Sequence, residues 1–345
     1  MSDSKEEYSL EDDIHFERKL EAVVVSDADS SYYKNANAIV DTVLNGHSEM
    51  TKDYKIYGAI LSGCVQKQLA VRGVSCGYLV FFYHLDERDL NENDLASLEM
   101  RHYTALKKIE AYIREAKKKR INDDDDIEIL GRSRSLLRIK WKGLKYHIAI
   151  TWTFSKREYC SFDKSSQNNG YVYPLSQMGL RFIANDLMTE AQAYERHLKN
   201  VRRAHRQWKT FFQESMNASL SLLRVYYMRE ELVGKNTRLA VLFLRLWQHV
   251  AMKDKRHLSN NSLEIICTSL SNQLKLAHQS NAPVLALDII QHFFQLIVQC
   301  RKCTNKPTVI AWPYESRSTS RHIQKCERRV RPGRVVVLDN LVAMS

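Results

Sequence analysis

Apolar residues recur along this chain with two different periods, and the change of period sketches the fold. Between Tyr33 and Leu44, Ala38, Ile39, Val43 and Leu44 fall at helical spacing, and Asn45-Gly46 reads as the stop. Tyr57–Leu61 and Gly77–His84 are short apolar runs that predict strands. Leu98 to Arg120 predicts a long amphipathic helix, with Leu106, Ile109 and Ile113 on one face and Lys107, Lys108 and Lys117–Arg120 elsewhere. Three strand-like segments follow: Ile127–Leu130, Leu136–Trp141 and Tyr146–Trp152. The last alternates His147, Ala149 and Thr151 against Tyr146, Ile148, Ile150 and Trp152, as a half-buried strand does. Ser165–Gly170 reads as a loop. Helical spacing dominates beyond Leu180, over Glu190–Glu214, Thr237–Met252, Ser262–Leu276 and Leu285–Cys303. The order predicts an α+β fold. Residues 1–28 are expected to be an acidic, disordered leader, 29–180 a strand-rich lobe, and 181–345 a helical lobe with returning C-terminal strands.

Charge sharpens this picture. The chain carries a formal net charge of +12. Residues 1–30 hold ten acids against Lys5, Arg18 and Lys19, which leaves the remainder near +19. A basic body with an acidic leader fits a polyanion partner, and it fits a requirement for solubility equally well. No apolar run approaches the roughly 20 residues that cross a bilayer, and no basic-then-apolar leader opens the sequence, so a cytoplasmic or nuclear location is expected. Seven scattered cysteines, an odd number, predict reduced thiols rather than a disulfide framework.

The run Tyr57-Gly-Ala-Ile-Leu-Ser-Gly-Cys-Val-Gln-Lys-Gln-Leu-Ala-Val-Arg-Gly-Val-Ser-Cys-Gly-Tyr-Leu-Val-Phe-Phe-Tyr83 carries the most specific signal. It resembles the core of the nucleotidyltransferases, and of their 2′-5′-oligoadenylate synthetase branch in particular. Further similar blocks are Asn37–Leu44, Thr237–His249 with Ser262–Ile266, Val309–Tyr314 and Arg331–Asp339. The resemblance implies a nucleotidyltransferase palm, a mixed twisted sheet with flanking helices, plus a C-terminal helical lobe. Carried over by position, the family's phosphate-holding Gly-Ser falls on Gly63-Cys64. Its metal-binding aspartates fall on Cys76, Tyr78 and His147. A lysine that meets substrate triphosphate falls on Trp247, and a Gln-Tyr pair near the nucleotide falls on Asn260 and Asn261. Thiol, phenol and imidazole offer Mg²⁺ no hard anionic oxygen at neutral pH. The resemblance therefore implies a degenerate palm that is not an enzyme and needs no cofactor.

What the resemblance leaves is the family's other surface, where Lys and Arg hold double-stranded RNA by its shape. Arg238 is the one basic position that matches there. Arg202, Arg203 and Arg206 form a helical stripe with aromatic neighbours, which could lie along phosphates or simply be a solvated face. Lys117, Lys118, Lys119 and Arg120 could form a nucleic-acid patch or a solvated helix end. Cys300, Cys303, His322 and Cys326 have zinc spacing, against which stands ordinary packing of cysteines at a helix end. Cys76 with His147 could be a thiol–imidazole pair, with packed strand residues as the default. Carboxylates brought in from elsewhere, Asp53 or Glu110, would undo the inactive reading. The expectation is an inactive oligoadenylate synthetase-like protein that binds double-stranded or structured RNA in RNA regulation or antiviral defence. The alternatives are a scaffold that dimerises through its palm, resembling animal RNA-binding factors, and an active nucleotidyltransferase with relocated metal ligands.

Overall fold

Five consecutive residues of the Gly77–His84 run, Leu79 to Tyr83, have almost no exposed surface. A strand buried on both faces must lie inside a sheet, and the sheet is built around it. The computed structural model of the protein describes residues 10–23, 31–50, 56–84, 95–119, 127–153, 218, 221, 224, 225, 228, 233–252, 258–277, 283–302, 308–311 and 335–338. The chain divides into two units, Val25–Arg229 and Met1–Val24 with Glu230–Ser345.

In the first unit, β1 (Ile56–Ser62), β2 (Gly77–His84), β3 (Ile127–Arg132), β4 (Leu136–Trp141) and β5 (Leu144–Thr153) form one sheet in the order β1-β2-β5-β4-β3. Only the central pair, β2 with β5, is parallel; β1–β2, β5–β4 and β4–β3 are antiparallel. Two helices flank it, α2 (Ser31–Met50) and α3 (Leu95–Lys119). The expected α+β class, a mixed sheet with flanking helices, is observed. Ala36, Ile39, Val40 and Val43 form the buried stripe of α2, and Ala105, Leu106, Ile109, Tyr112 and Ile113 that of α3. Polar contacts fix α2 on the sheet. Tyr146 Oη donates to the Tyr32 carbonyl at 2.9 Å, and Asn35 Nδ2 donates to the Trp141 carbonyl at 3.2 Å. Arg132 of β3 reaches α3, with Nη1 2.6 Å from Glu110 Oε2 and its guanidinium 4.7 Å over the Tyr103 ring.

The expected stop at Asn45-Gly46 does not occur, and α2 runs on to Met50. A Cβ on Gly46 would lie 2.6 Å from the Tyr112 ring of α3. The glycine lets two helices approach closely rather than ending one of them.

The second unit holds α1 (Leu10–Glu21), α4 (Lys235–Ala251), α5 (Asn260–Ala277), α6 (Ala286–Lys302) and a parallel pair, β6 (Thr308–Ala311) with β7 (Val335–Leu338). The expectation of a disordered leader over 1–28 is corrected for Leu10–Glu21, which form α1. Its acids are used inside the fold. Asp13 accepts from the backbone N–H groups of Ala286 at 3.0 Å and Leu287 at 3.2 Å, where α6 begins. A carboxylate there satisfies orphan donors and meets the positive end of the helix dipole. Glu17 pairs with Lys235, and the Phe16 ring packs tilted against Phe243 at 5.4 Å between centroids. Buried Arg245 of α4 and Glu264 of α5 form an ion pair in the helical core, with side-chain exposures of 4% and 0%. Ser259 caps α5, its Oγ accepting from the Ser262 N–H at 3.0 Å.

Candidate functional site

Strand register brings the first unit's chemistry to one end of the sheet. Ser62 pairs with Tyr78, Tyr78 with His147, and His147 with Arg138. Paired residues share a face, so Ser62, Tyr78, His147 and Arg138 form a row across four strands. Beyond that row, Lys145 pairs with Lys140. Cys76, which precedes Gly77, lies near enough to Lys145 and Cys64 to feel both.

The backbone is tight at this end. Gly63 has φ +73°, and a Cβ there would lie 2.8 Å from the Tyr78 Cβ. A Cβ on Gly77 would lie 2.6 Å from the Tyr146 ring, so only glycine fits between Cys76 and Tyr78. From Gly63 the chain turns helically, with the Lys67 N–H donating to the Gly63 carbonyl at 3.1 Å and the Leu69 N–H to the Cys64 carbonyl at 2.9 Å. It returns through Val71, whose N–H donates to Ser75 Oγ at 2.9 Å, while Tyr32 Oη donates to the Ser75 carbonyl at 2.9 Å. Ser62 Oγ is fully buried and has no hydrogen-bond partner among the described residues.

The electrostatics are cationic. Burial pushes the Cys76 thiol above its usual range, with Lys145 opposing and Cys64 adding to the rise. Burial, aided by the charge of Arg138, pulls His147 below the ordinary histidine value. Cys76 is therefore a thiol and His147 a neutral imidazole at neutral pH. Arg138 and Lys145 are exposed. Hard cations prefer anionic oxygens, which Cys76, Tyr78 and His147 do not supply. These three positions do not fit a pair of magnesium ions. Among the described residues, no group of three or more His, Cys, Asp or Glu is arranged to hold a metal. Glu110 is engaged by Arg114 and Arg132, and Asp53 lies outside the described residues.

The residues predicted as one site divide between the two units. Cys64, Cys76, Tyr78 and His147 come together as described. Trp247 belongs to the helical unit, where it packs edge-on against Phe294 at 5.0 Å. Asn260 and Asn261 open α5, and Arg238 is half-buried in the first turn of α4. Lys117, Lys118 and Lys119 are exposed at the end of α3, with Lys119 3.4 Å from Glu115. Arg202, Arg203, Arg206 and Arg120 lie outside the described residues, as do Cys303, His322 and Cys326 of the zinc spacing. Cys300 ends up near the close of α6. Arg138 and Lys145 were missed by sequence reasoning. The alternation of Leu136–Trp141 and Leu144–Thr153 contained them, but only the pairing of β4 and β5 aligns them with the predicted positions.

The chain matches no known family profile and no curated protein. Among solved structures it is similar to Escherichia coli MS115-1 CdnC in complex with HORMA-deltaN, at TM-score 0.47 and 11% identity over 89% of this chain and 76% of that one. It is also similar to the structure of the same CdnC with ATP, at TM-score 0.46 and 13% identity over 88% and 74%. The expectation that the chain is not an enzyme does not stand. That expectation rested on the changed positions Cys64, Cys76, Tyr78, His147, Trp247, Asn260 and Asn261, with the loss of metal ligands carried by Cys76, Tyr78 and His147. Asp53, Asp86, Glu87 and Asp89, which flank β1 and β2 in sequence, lie outside the described residues, so changes at Cys76, Tyr78 and His147 do not establish inactivity.

Proposed function

We propose that this protein, on a nucleotidyltransferase-type fold, binds double-stranded or structured RNA through a basic surface of its sheet unit, in RNA regulation or antiviral defence. The supporting observation is the cationic end of the sheet. Exposed Arg138 and Lys145 stand beside Tyr78, His147 and Cys76, at positions that carry carboxylates in the resembled family. An anionic ligand suits that field. The formal net charge of +12 exceeds what a single nucleotide requires, and exposed Lys117 and Lys118 add a second basic cluster to the same unit. Fluorescence anisotropy with labelled double-stranded RNA tests the reading. Affinity should fall at least about tenfold between roughly 50 and 200 mM salt, because each neutralised phosphate steepens the salt dependence by about one unit. Absence of binding, or binding indifferent to salt, would reject it.

A second reading, nucleotidyl transfer with metal ligands from other segments, is favoured by the β1–turn–β2 arrangement, where Gly63 adopts positive φ at the strand end. Incubation with ATP or GTP, Mg²⁺ and double-stranded RNA tests it. Formation of an oligonucleotide or cyclic product would establish it, and unchanged nucleotide would exclude it.

A further inference from the structure

Where Gly46 lets α2 and α3 draw together, the helices leave a cleft of about 190 Å³. Thr42 and Asn45 of α2 line one side, Glu115, Ala116 and Lys119 of α3 the other, with buried Tyr112 against Gly46. The Tyr146 side chain bonds to α2, and its neighbour His147 points to the opposite face of the sheet. The cleft therefore lies across the sheet from the Tyr78–His147 row. A cavity of roughly 150 Å³ accepts benzene, and pockets for whole drug-sized ligands begin near about 300 Å³. This one suits a single flat ring system whose remainder stays outside.

The rim decides which ring. Lys119 Nζ stands 3.4 Å from Glu115 Oε1, with side-chain exposures of 66% and 51%. An ion pair that loose and exposed is worth little, so a ligand edge replaces it at small cost. Glu110 differs, being clamped by Arg114 at 2.7 Å and Arg132 at 2.6 Å. A carboxylate beside an ammonium presents two acceptors and then a donor. Guanine carries the complement along one edge, where the N2 amine and N1–H donate and O6 accepts. Adenine, cytosine and uracil each offer a carboxylate one donor position on that edge. Across the cleft, Thr42 Oγ1 donates to the Ala38 carbonyl at 2.8 Å and keeps lone pairs to accept. The Asn45 amide both donates and accepts.

We propose that this α2–α3 cleft binds a guanosine 5′-monophosphate group. The base enters between the helices with its edge on Glu115 and Lys119, and the phosphate stays outside near Lys118, exposed next along α3. The inference goes beyond the RNA reading and does not rest on it. The same chemical group occurs free and at the end of a single-stranded RNA.

Isothermal titration calorimetry of the full chain tests the site, with guanosine, adenosine and uridine 5′-monophosphates as probes in the absence of divalent metal. The guanosine nucleotide should bind about tenfold more tightly than the others, the worth of one further hydrogen bond to a charged group. Glu115→Gln, a surface substitution, should weaken guanosine monophosphate about tenfold and bring it level with adenosine monophosphate. Ala116→Leu should fill the cleft and abolish binding, with the melting temperature showing that the variant is folded. No binding of guanosine monophosphate, or equal binding of all three nucleotides, would overturn the proposal. So would binding lost in Arg138→Ala and kept in Glu115→Gln and Ala116→Leu, which would move the nucleotide to the sheet row. Single-stranded RNAs beginning with 5′-phosphorylated guanosine or adenosine separate the two sources. Tighter binding of the guanosine-led RNA than of the mononucleotide, lost in Glu115→Gln, assigns the cleft to an RNA end. Mononucleotide binding that no RNA matches assigns it to the free nucleotide.

Discussion

Two arginines on two secondary elements illustrate opposite uses of one side chain. Arg245 in α4 is sealed against Glu264 of α5, and both side chains are buried. Arg138 in β4 is exposed and stands beside neutral His147. The first charge is spent on holding helices together. The second, with Lys145, sets up a field at the sheet end. Burial decides the difference: a desolvated charge must be paired within the fold, whereas an exposed one costs little to keep for a ligand.

The largest effect should follow from breaking the sealed pair. Glu264→Gln leaves Arg245 buried without its counter-charge and should destabilise the protein by about 3–5 kcal/mol. Urea denaturation monitored by circular dichroism reads the loss. The double substitution Arg245→Met with Glu264→Leu should recover much of it, since an apolar pair of similar volume avoids the desolvation cost. If Glu264→Gln alone is neutral, the pair is not structural.

The next effect lies in the sheet unit and depends on pH. Burial lowers His102 of α3 to about 4, opposed more weakly by the Ser135 backbone beside it. A histidine with a depressed folded value stays neutral while its unfolded counterpart takes a proton. Its contribution is therefore complete above the unfolded value near 6.5 and fades as pH falls toward the folded one. Stability should decline between about pH 6.5 and pH 4, by up to a few kcal/mol at about 1.4 kcal/mol per unit. Replacing His102 with Gln should flatten that decline in melts taken across the range, and a parallel decline in the variant would assign it elsewhere.

A third test addresses the tight backbone beside the site. Gly77→Ala would drive a Cβ to 2.6 Å from the Tyr146 ring and should cost about 1–3 kcal/mol by overpacking. Tyr146→Leu in the same background should relieve part of that cost. Equal melting temperatures for Gly77→Ala and the natural chain would show that the ring can move aside.

Apolar runs and alternation were enough to locate β2, β4 and β5, because burial on one or both faces leaves a direct trace in the residue types. Two features left a misleading trace. The acids of α1 read as disorder, yet Asp13 and Glu17 meet partners hundreds of residues away in sequence, where local pattern carries no information. Asn45-Gly46 read as a stop because a glycine's role in close packing depends on Tyr112, a residue of another helix. At the site, the neighbours Cys76, Tyr78 and His147 were legible through resemblance to known proteins. Their cationic surroundings were not, since Arg138 and Lys145 join them only through strand order.

The smallest effect on stability, and the most direct on the open side of the comparison, should come from Arg138→Ala and Lys145→Ala. Both side chains are exposed, so each substitution should shift stability by no more than about 0.5 kcal/mol. Binding should respond differently. If each cation neutralises one phosphate, each loss lowers the slope of log affinity against log salt by about one unit, uniformly across RNA sequences. Lys117→Ala with Lys118→Ala, on α3 of the same unit, then serves as the internal contrast. A fall confined to the α3 variants would move the RNA surface to that helix end and leave the sheet row to another ligand. A fall confined to Arg138 and Lys145 would tie RNA to the strands themselves, and the difference in salt slope would count the phosphates that the row holds.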